Sequence, residues 1–170
     1  MRTIAAILKK KRMFLGLIGL FLLALIFAVQ KRNLDAEPKI KLYLHEEKRA
    51  VELPLEEYVA GALAAEMPAS FELEALKAQA VAIRTYTLRR LLAGVKYALD
   101  ADMSDDVNSC QAYVSFQQFR TRNPGQWQEY WEKINKAVSD TRGEIILYDN
   151  QPIDALYSST CGGCTASASE

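Results

Sequence analysis

The sequence predicts an α+β fold: a single extracytoplasmic domain of helices packed on a small mixed or antiparallel sheet, after one N-terminal transmembrane helix. Three observations carry that prediction: an uncharged apolar run at residues 13–29, strict alternation at residues 39–44, and helical apolar spacing across residues 55–66 and 71–93.

In the first of these, Arg2, Lys9, Lys10, Lys11 and Arg12 precede 17 uncharged residues, and Lys31 and Arg32 follow them. A spanning helix needs about 20 residues to cross a hydrocarbon core of roughly 30 Å, so the run is at the short end. Two readings are open, a retained anchor and a cleaved signal peptide. The run ends Ile26-Phe27-Ala28-Val29-Gln30 without a small-x-small cleavage site, which favours the anchor. Five positive charges before the run against two after it predict a cytoplasmic N-terminus. The expected organisation is a cytoplasmic segment 1–12, an anchor 13–29, a linker 30–38 and a domain 39–170 outside the membrane.

The 170 residues carry 21 basic and 21 acidic side chains, but seven of the basic ones lie in the first 32 residues, where no acid is found. The remainder holds 14 basic and 21 acidic residues, a net of −7. That balance argues against a nucleic-acid partner, whose binding draws on clustered Lys and Arg. It leaves a neutral, carbohydrate-like ligand open.

Within the domain, Ile40, Leu42 and Leu44 alternate with polar neighbours as in a half-buried strand, and Val51 and Leu53 form its partner across the charged turn HEEKR. Pro54 opens a helix whose first turn carries Glu56 and Glu57, suited to the positive end of its dipole, and Pro68 ends it. Ser70 is the expected N-cap of a second helix, with Leu73, Leu76, Ala80, Ile83 and Leu91 as its apolar stripe and Gly94 as its stop. Residues 98–115 read as an irregular loop. Trp127, Trp131, Ile134 and Val138 mark a third helix, stopped by Gly143; EIILYD and PIDALYSS then read as two strands around Asp149-Asn150.

Few residues invite chemistry. Glu66 sits among alanines, a methionine and a proline; it is either an exposed helix-end glutamate or a carboxyl held toward its protonated form by loss of hydration, hence a general acid. Lys77 and Arg84, seven apart, share one helix face about 10 Å apart along the axis. They form either a solvated basic face or, for Arg84 among Ile83 and Tyr86, a buried cation met by a carboxylate or ligand. STCGGCT offers closely approaching backbone at Gly162 and Gly163 and a C-x-x-C pair, Cys161 and Cys164. With Cys110, the cysteines are small buried side chains, half of a zinc site, or a redox pair. The single histidine, His45, is remote in sequence, so the expectation is no cofactor, with zinc on Cys110, Cys161 and Cys164 as the alternative.

The stretches LPLEEYVAGALAAEMPASFELEALKAQAVAIRTYTL, CQAY and GEIILYDNQPIDALYSSTCGGCTAS together resemble the stage II sporulation protein D (SpoIID) family, membrane-anchored lytic transglycosylases of endospore-forming bacteria. The resemblance runs from Lys39 to the end. It implies cleavage of peptidoglycan glycan strands, preferably stripped of stem peptides, during engulfment of the forespore. It implies the glutamate of the E-M-P motif, here Glu66, as catalytic acid, with Lys77 and Arg84 shaping the site. Tyr86, Gln111, Tyr113, Ser158, Ser159, Gly162 and Gly163 fall where the family lines its sugar cleft. Some relatives hold zinc through His and Cys, whereas the loop before Cys110 lacks histidine. Family members are longer, so the resemblance implies that this domain is completed beyond Glu170. It further implies a place on the mother cell's septal and engulfing membrane, beside a cell-wall amidase and other engulfment proteins. Rival readings are a non-catalytic glycan-binding modifier of an amidase and, more remotely, a redox protein using Cys161 and Cys164.

Overall fold

The computed structural model describes residues 37–158 and Gly163, all within the compact unit Pro38–Glu170 except Glu37. The expected anchor 13–29, with its flanking segments, lies outside the described residues. Among these, no helix is long and apolar enough to cross a membrane.

The first strand, β1 (Lys39–Leu44), pairs antiparallel with β2 (Arg49–Pro54), with Lys39 opposite Pro54 and Leu44 opposite Arg49. Alternation is realised: Ile40 and Leu42 are buried while Lys39 is exposed. A third strand, β3 (Met103–Ser104), joins β1 in parallel, giving a mixed sheet of order β2-β1-β3. It lies inside the segment expected to be irregular. Two residues are too short for a periodic signal, and Asp102 sets their register, its backbone N–H donating to the Lys41 carbonyl (2.7 Å) and its carboxylate accepting from the Lys41 N–H (2.8 Å).

Helix α1 (Leu55–Glu66) starts immediately after β2, the Leu55 N–H donating to the Pro38 carbonyl at 2.8 Å. It ends at Met67, whose extended backbone (φ −132°, ψ 134°) is what a following proline imposes. Helix α2 (Leu73–Ala93) has Glu72, not Ser70, at its N-cap, without a side-chain cap; Ser70 instead lies in the turn closed by the Phe71 N–H on the Pro68 carbonyl. Gly94 ends α2 at φ 66°, a left-handed position that favours glycine.

A short helix, α3 (Phe116–Arg122), escaped the sequence reading, although S-x-x-Q at Ser115 and Gln118 is a capping-box signal, and both reciprocal bonds are present. Its Phe116 and Phe119 pack on Trp127 and Trp131 of α4 (Trp127–Asp140). Helices α1, α2 and α4 pack on one another and bury Tyr58, Val59, Leu63, Leu76, Ile83, Ile134 and Val138. The expected terminal hairpin is there but short, β4 (Leu147–Tyr148) and β5 (Gln151–Pro152). Asp149 and Asn150 both take positive φ, 48° and 59°, as a type I′ turn requires. Beyond Pro152 the ladder keeps one bond, the Ile153 N–H on the Ile146 carbonyl (3.2 Å), because the Ile146 N–H is taken by Thr85 Oγ1 (3.0 Å).

Candidate active site

Glu66 is the last residue of α1, half-buried, and its position depends on a segment 46 residues away. Residues 110–114 lie across α1 where Gly61 has no side chain to keep them off. A Cβ on Gly61 would stand 2.3 Å from Tyr113 Cε2 and 2.7 Å from the Val114 carbonyl oxygen. The Val114 N–H donates to the Gly61 carbonyl (3.3 Å), and the Tyr113 ring stacks on Tyr58 with centroids 5.7 Å apart and planes 4° from parallel. So held, the segment aims the Ala112 N–H at Glu66 Oε1, 2.7 Å away. Oε2 has no hydrogen-bond partner among the described residues.

Beside this carboxyl, Gln111 is buried with its amide orientation fixed. Its Oε1 accepts from the Tyr58 hydroxyl (3.2 Å), while Nε2 donates to the Tyr157 hydroxyl oxygen (3.0 Å). Thr87 Oγ1 lies 3.4 Å from the same Oε1 but 2.8 Å from the Ile83 carbonyl, so its single hydrogen goes to the carbonyl. Burial pushes the Tyr58 phenol well above its ordinary value of 10.0, making it a dependable donor. The Tyr157 phenol is also pushed up, first by burial and then by the charge of Glu66. Because its oxygen already takes the Gln111 N–H, its own hydrogen is left for an acceptor in the cleft.

The cleft, of ≈ 280 Å³, is lined by Glu66, Tyr86, Cys110, Gln111, Leu156 and Tyr157, among others. Tyr86 accepts from Arg90 Nη2 (2.6 Å) and Nε (2.9 Å); burial raises its phenol, with Arg90 pulling the other way. The β4–β5 hairpin, which Tyr157 follows, is tied to α2 through the N–H of Ile146, just before β4, on Thr85 Oγ1 (3.0 Å). Among the described residues Glu66 is the one carboxylate lining the cleft, surrounded by neutral hydrogen-bonding groups. Such an arrangement can donate and recover one proton beside a hydroxyl-rich ligand.

Of the residues singled out from sequence, Glu66, Tyr86, Cys110 and Gln111 meet in this cleft. Arg84 does not orient Glu66. Its guanidinium is buried against Glu56, Nη2 to Oε2 at 2.6 Å and Nε to Oε1 at 2.9 Å, and donates to the Glu144 (3.1 Å) and Val138 (3.3 Å) carbonyls. Lys77 also points elsewhere, pairing with Glu74 (2.9 Å) and with Asp140 of α4 (3.1 Å). Tyr113 lines a neighbouring pocket, Ser158 is exposed, and Gly163 has φ 110°. Ser159, Cys161, Gly162 and Cys164 lie outside the described residues. Among the described residues no three potential ligands are grouped to hold a metal ion, and Cys110 is a free thiol. Tyr58, Tyr157 and the Ala112 N–H were missed. A backbone donor gives no sequence signal, and the tyrosines enter through contacts 53 and 46 residues distant.

The chain is 39% identical over 138 residues to stage II sporulation protein D of Bacillus subtilis, covering 80% of this chain and 40% of that protein. It is 37% identical over 141 residues to the stage II sporulation protein D of Bacillus amyloliquefaciens (78% and 41%). To the amidase enhancer of Bacillus subtilis it is 36% identical over 110 residues (65% and 13%). The chain thus spans about two fifths of the length of the two sporulation proteins. Residues 43–148 match the model of the stage II sporulation protein family, and the chain accordingly belongs to that family, SpoIID.

Proposed function

We propose that this domain belongs to a peptidoglycan lytic transglycosylase in which Glu66 is acid and then base. The observation that carries the reading is that, among the described residues, one carboxylate lines the cleft, oriented by the Ala112 N–H and set among neutral donors and acceptors. Protonated Glu66 gives its proton to the glycosidic oxygen between N-acetylmuramic acid and N-acetylglucosamine as the C–O bond breaks and oxocarbenium character develops at the muramic anomeric carbon. The muramic acid's own 6-hydroxyl attacks that carbon and returns its proton to the Glu66 carboxylate, leaving a 1,6-anhydro end. Atoms and charge balance without water, so the second carboxylate usual in hydrolysis is not required. Tyr157 and Tyr86 supply neutral hydrogen bonds to hydroxyl and acetamido groups. In this reading the domain stands outside the membrane on the anchor at residues 13–29 and acts on septal wall during engulfment.

A second reading, a glycan-binding modifier of a cell-wall amidase, is supported by the similarity to the amidase enhancer. Glu66→Gln in the full-length protein separates the two. With purified glycan strands as substrate, mass spectrometry should find anhydro-ended products from the wild type and at least a hundredfold less from the variant, with glycan pull-down retained. Binding without products from either protein favours the modifier, and undiminished products from Glu66→Gln would falsify the assignment.

A further inference from the structure

A second pocket, of ≈ 360 Å³, opens on the other side of the segment that positions Glu66. Neighbouring residues divide between the two openings: Glu66 and Gln111 line the cleft, Ala65 and Ala112 line the pocket, and Val107 lines both. The Glu66–Ala112 hydrogen bond is therefore the partition between them. Either opening alone is near the lower limit of about 300 Å³ for ordinary ligand sites, so an extended ligand gains from using both.

The second pocket has uncommitted polar groups. Gln118 Oε1 accepts from the Ser115 N–H (2.8 Å) and hydroxyl (3.1 Å), which leaves both N–H donors of its amide available. The guanidinium of Arg122, one turn further along α3, has no partner among the described residues. Asp105 Oδ1 accepts the His45 N–H at 2.7 Å, and Asp106 is bound within its own loop by Asn108 and Ser109. Tyr113 contributes an aromatic wall. Donors, acceptors and two rings, Tyr113 and His45, in a pocket that also holds three carboxylates, Glu46, Asp105 and Asp106, suit an uncharged, hydroxyl- and amide-bearing ring such as N-acetylglucosamine over a carboxylate-bearing one.

We propose that this pocket is a second saccharide subsite, so that a β-1,4-linked N-acetylamino-sugar strand crosses the Glu66–Ala112 partition with Gln118 and Arg122 donating to the sugar beyond it. The proposal rests on the glycan reading of the Glu66 cleft. Its test is calorimetric titration of the whole chain with N-acetylglucosamine oligomers of two, four and six sugars, for the wild type, Arg122→Ala and Gln118→Glu. The last substitution keeps the oxygen that caps α3. The wild type should bind six sugars more tightly than two, and each variant should lower the six-to-two affinity ratio by about tenfold, the loss of one charge-assisted or amide hydrogen-bond set. A ratio unchanged in both variants overturns the subsite and leaves the glycan reading standing. Failure of the wild type to bind any oligomer overturns both.

Discussion

Gly61→Ala sets helix propensity against packing. In an exposed helix interior the exchange would stabilise by about 1 kcal/mol. Here the new methyl carbon would lie 2.3 Å from Tyr113 Cε2 and 2.7 Å from the Val114 carbonyl oxygen, against an ordinary carbon contact of about 3.5–4.0 Å. The ring could swing aside, but the carbonyl is backbone, so the 110–114 segment must retreat by roughly 1 Å to restore ordinary contact. That motion stretches the 3.3 Å Val114–Gly61 and 2.7 Å Ala112–Glu66 hydrogen bonds together. Overpacking of this kind costs about 1–3 kcal/mol and each weakened hydrogen bond about 1 kcal/mol, which outweighs the helical gain. The net expectation is a loss of about 2–4 kcal/mol, read as a Tm lower by roughly 6–16 °C in a domain of this size. If the domain cleaves glycan as proposed, a displacement of about 1 Å at the carboxyl would also lower that activity by up to a hundredfold. Differential scanning calorimetry with product analysis measures both. A variant that melts higher and cleaves normally would refute the close approach and, with it, this account of how Glu66 is aimed.

Two further outcomes follow from charges placed away from the cleft. Arg84→Met leaves Glu56, whose side chain is 14% exposed, without the guanidinium that now meets it, and should cost about 3–5 kcal/mol in urea denaturation; adding Glu56→Gln should recover part of it. Asp140, paired with Lys136 and Lys77, has its carboxyl lowered from the ordinary 3.8 by those hydrogen bonds. Its contribution is present above the unfolded value and disappears as pH falls through the lowered folded one. Melting curves of wild type and Asp140→Asn should therefore differ near neutrality and converge toward the acid end, and a gap that persists unchanged into acid would contradict the pairing.

What the sequence made legible was local. Alternation at Ile40 and Leu42 located β1, Pro68 ended α1, and Gly94 ended α2, each through a constraint acting within a few residues. Of the two readings of Arg84, the buried cation met by a carboxylate is the one found. A cation in that apolar helix does need a carboxylate, but the partner is Glu56, 28 residues earlier on α1, and no periodicity reports such a meeting. Lys77 illustrates the converse, since its shared face with Arg84 could not say that Asp140 of α4 would occupy it. The polar chain through Tyr58, Gln111 and Tyr157 joins α1, the 110–114 segment and the stretch after β5, so it exists only once all three are assembled.

That Glu66 is held by the N–H of residue 112 has an evolutionary consequence. Every amino acid except proline supplies the same donor, so this contact constrains the residue's identity hardly at all and can persist while position 112 drifts. Ala112 is meanwhile part of the wall of the neighbouring pocket. Substitution there could reshape what the pocket admits while the carboxyl keeps its place, which lets ligand preference diverge between lineages without disturbing the proton chemistry.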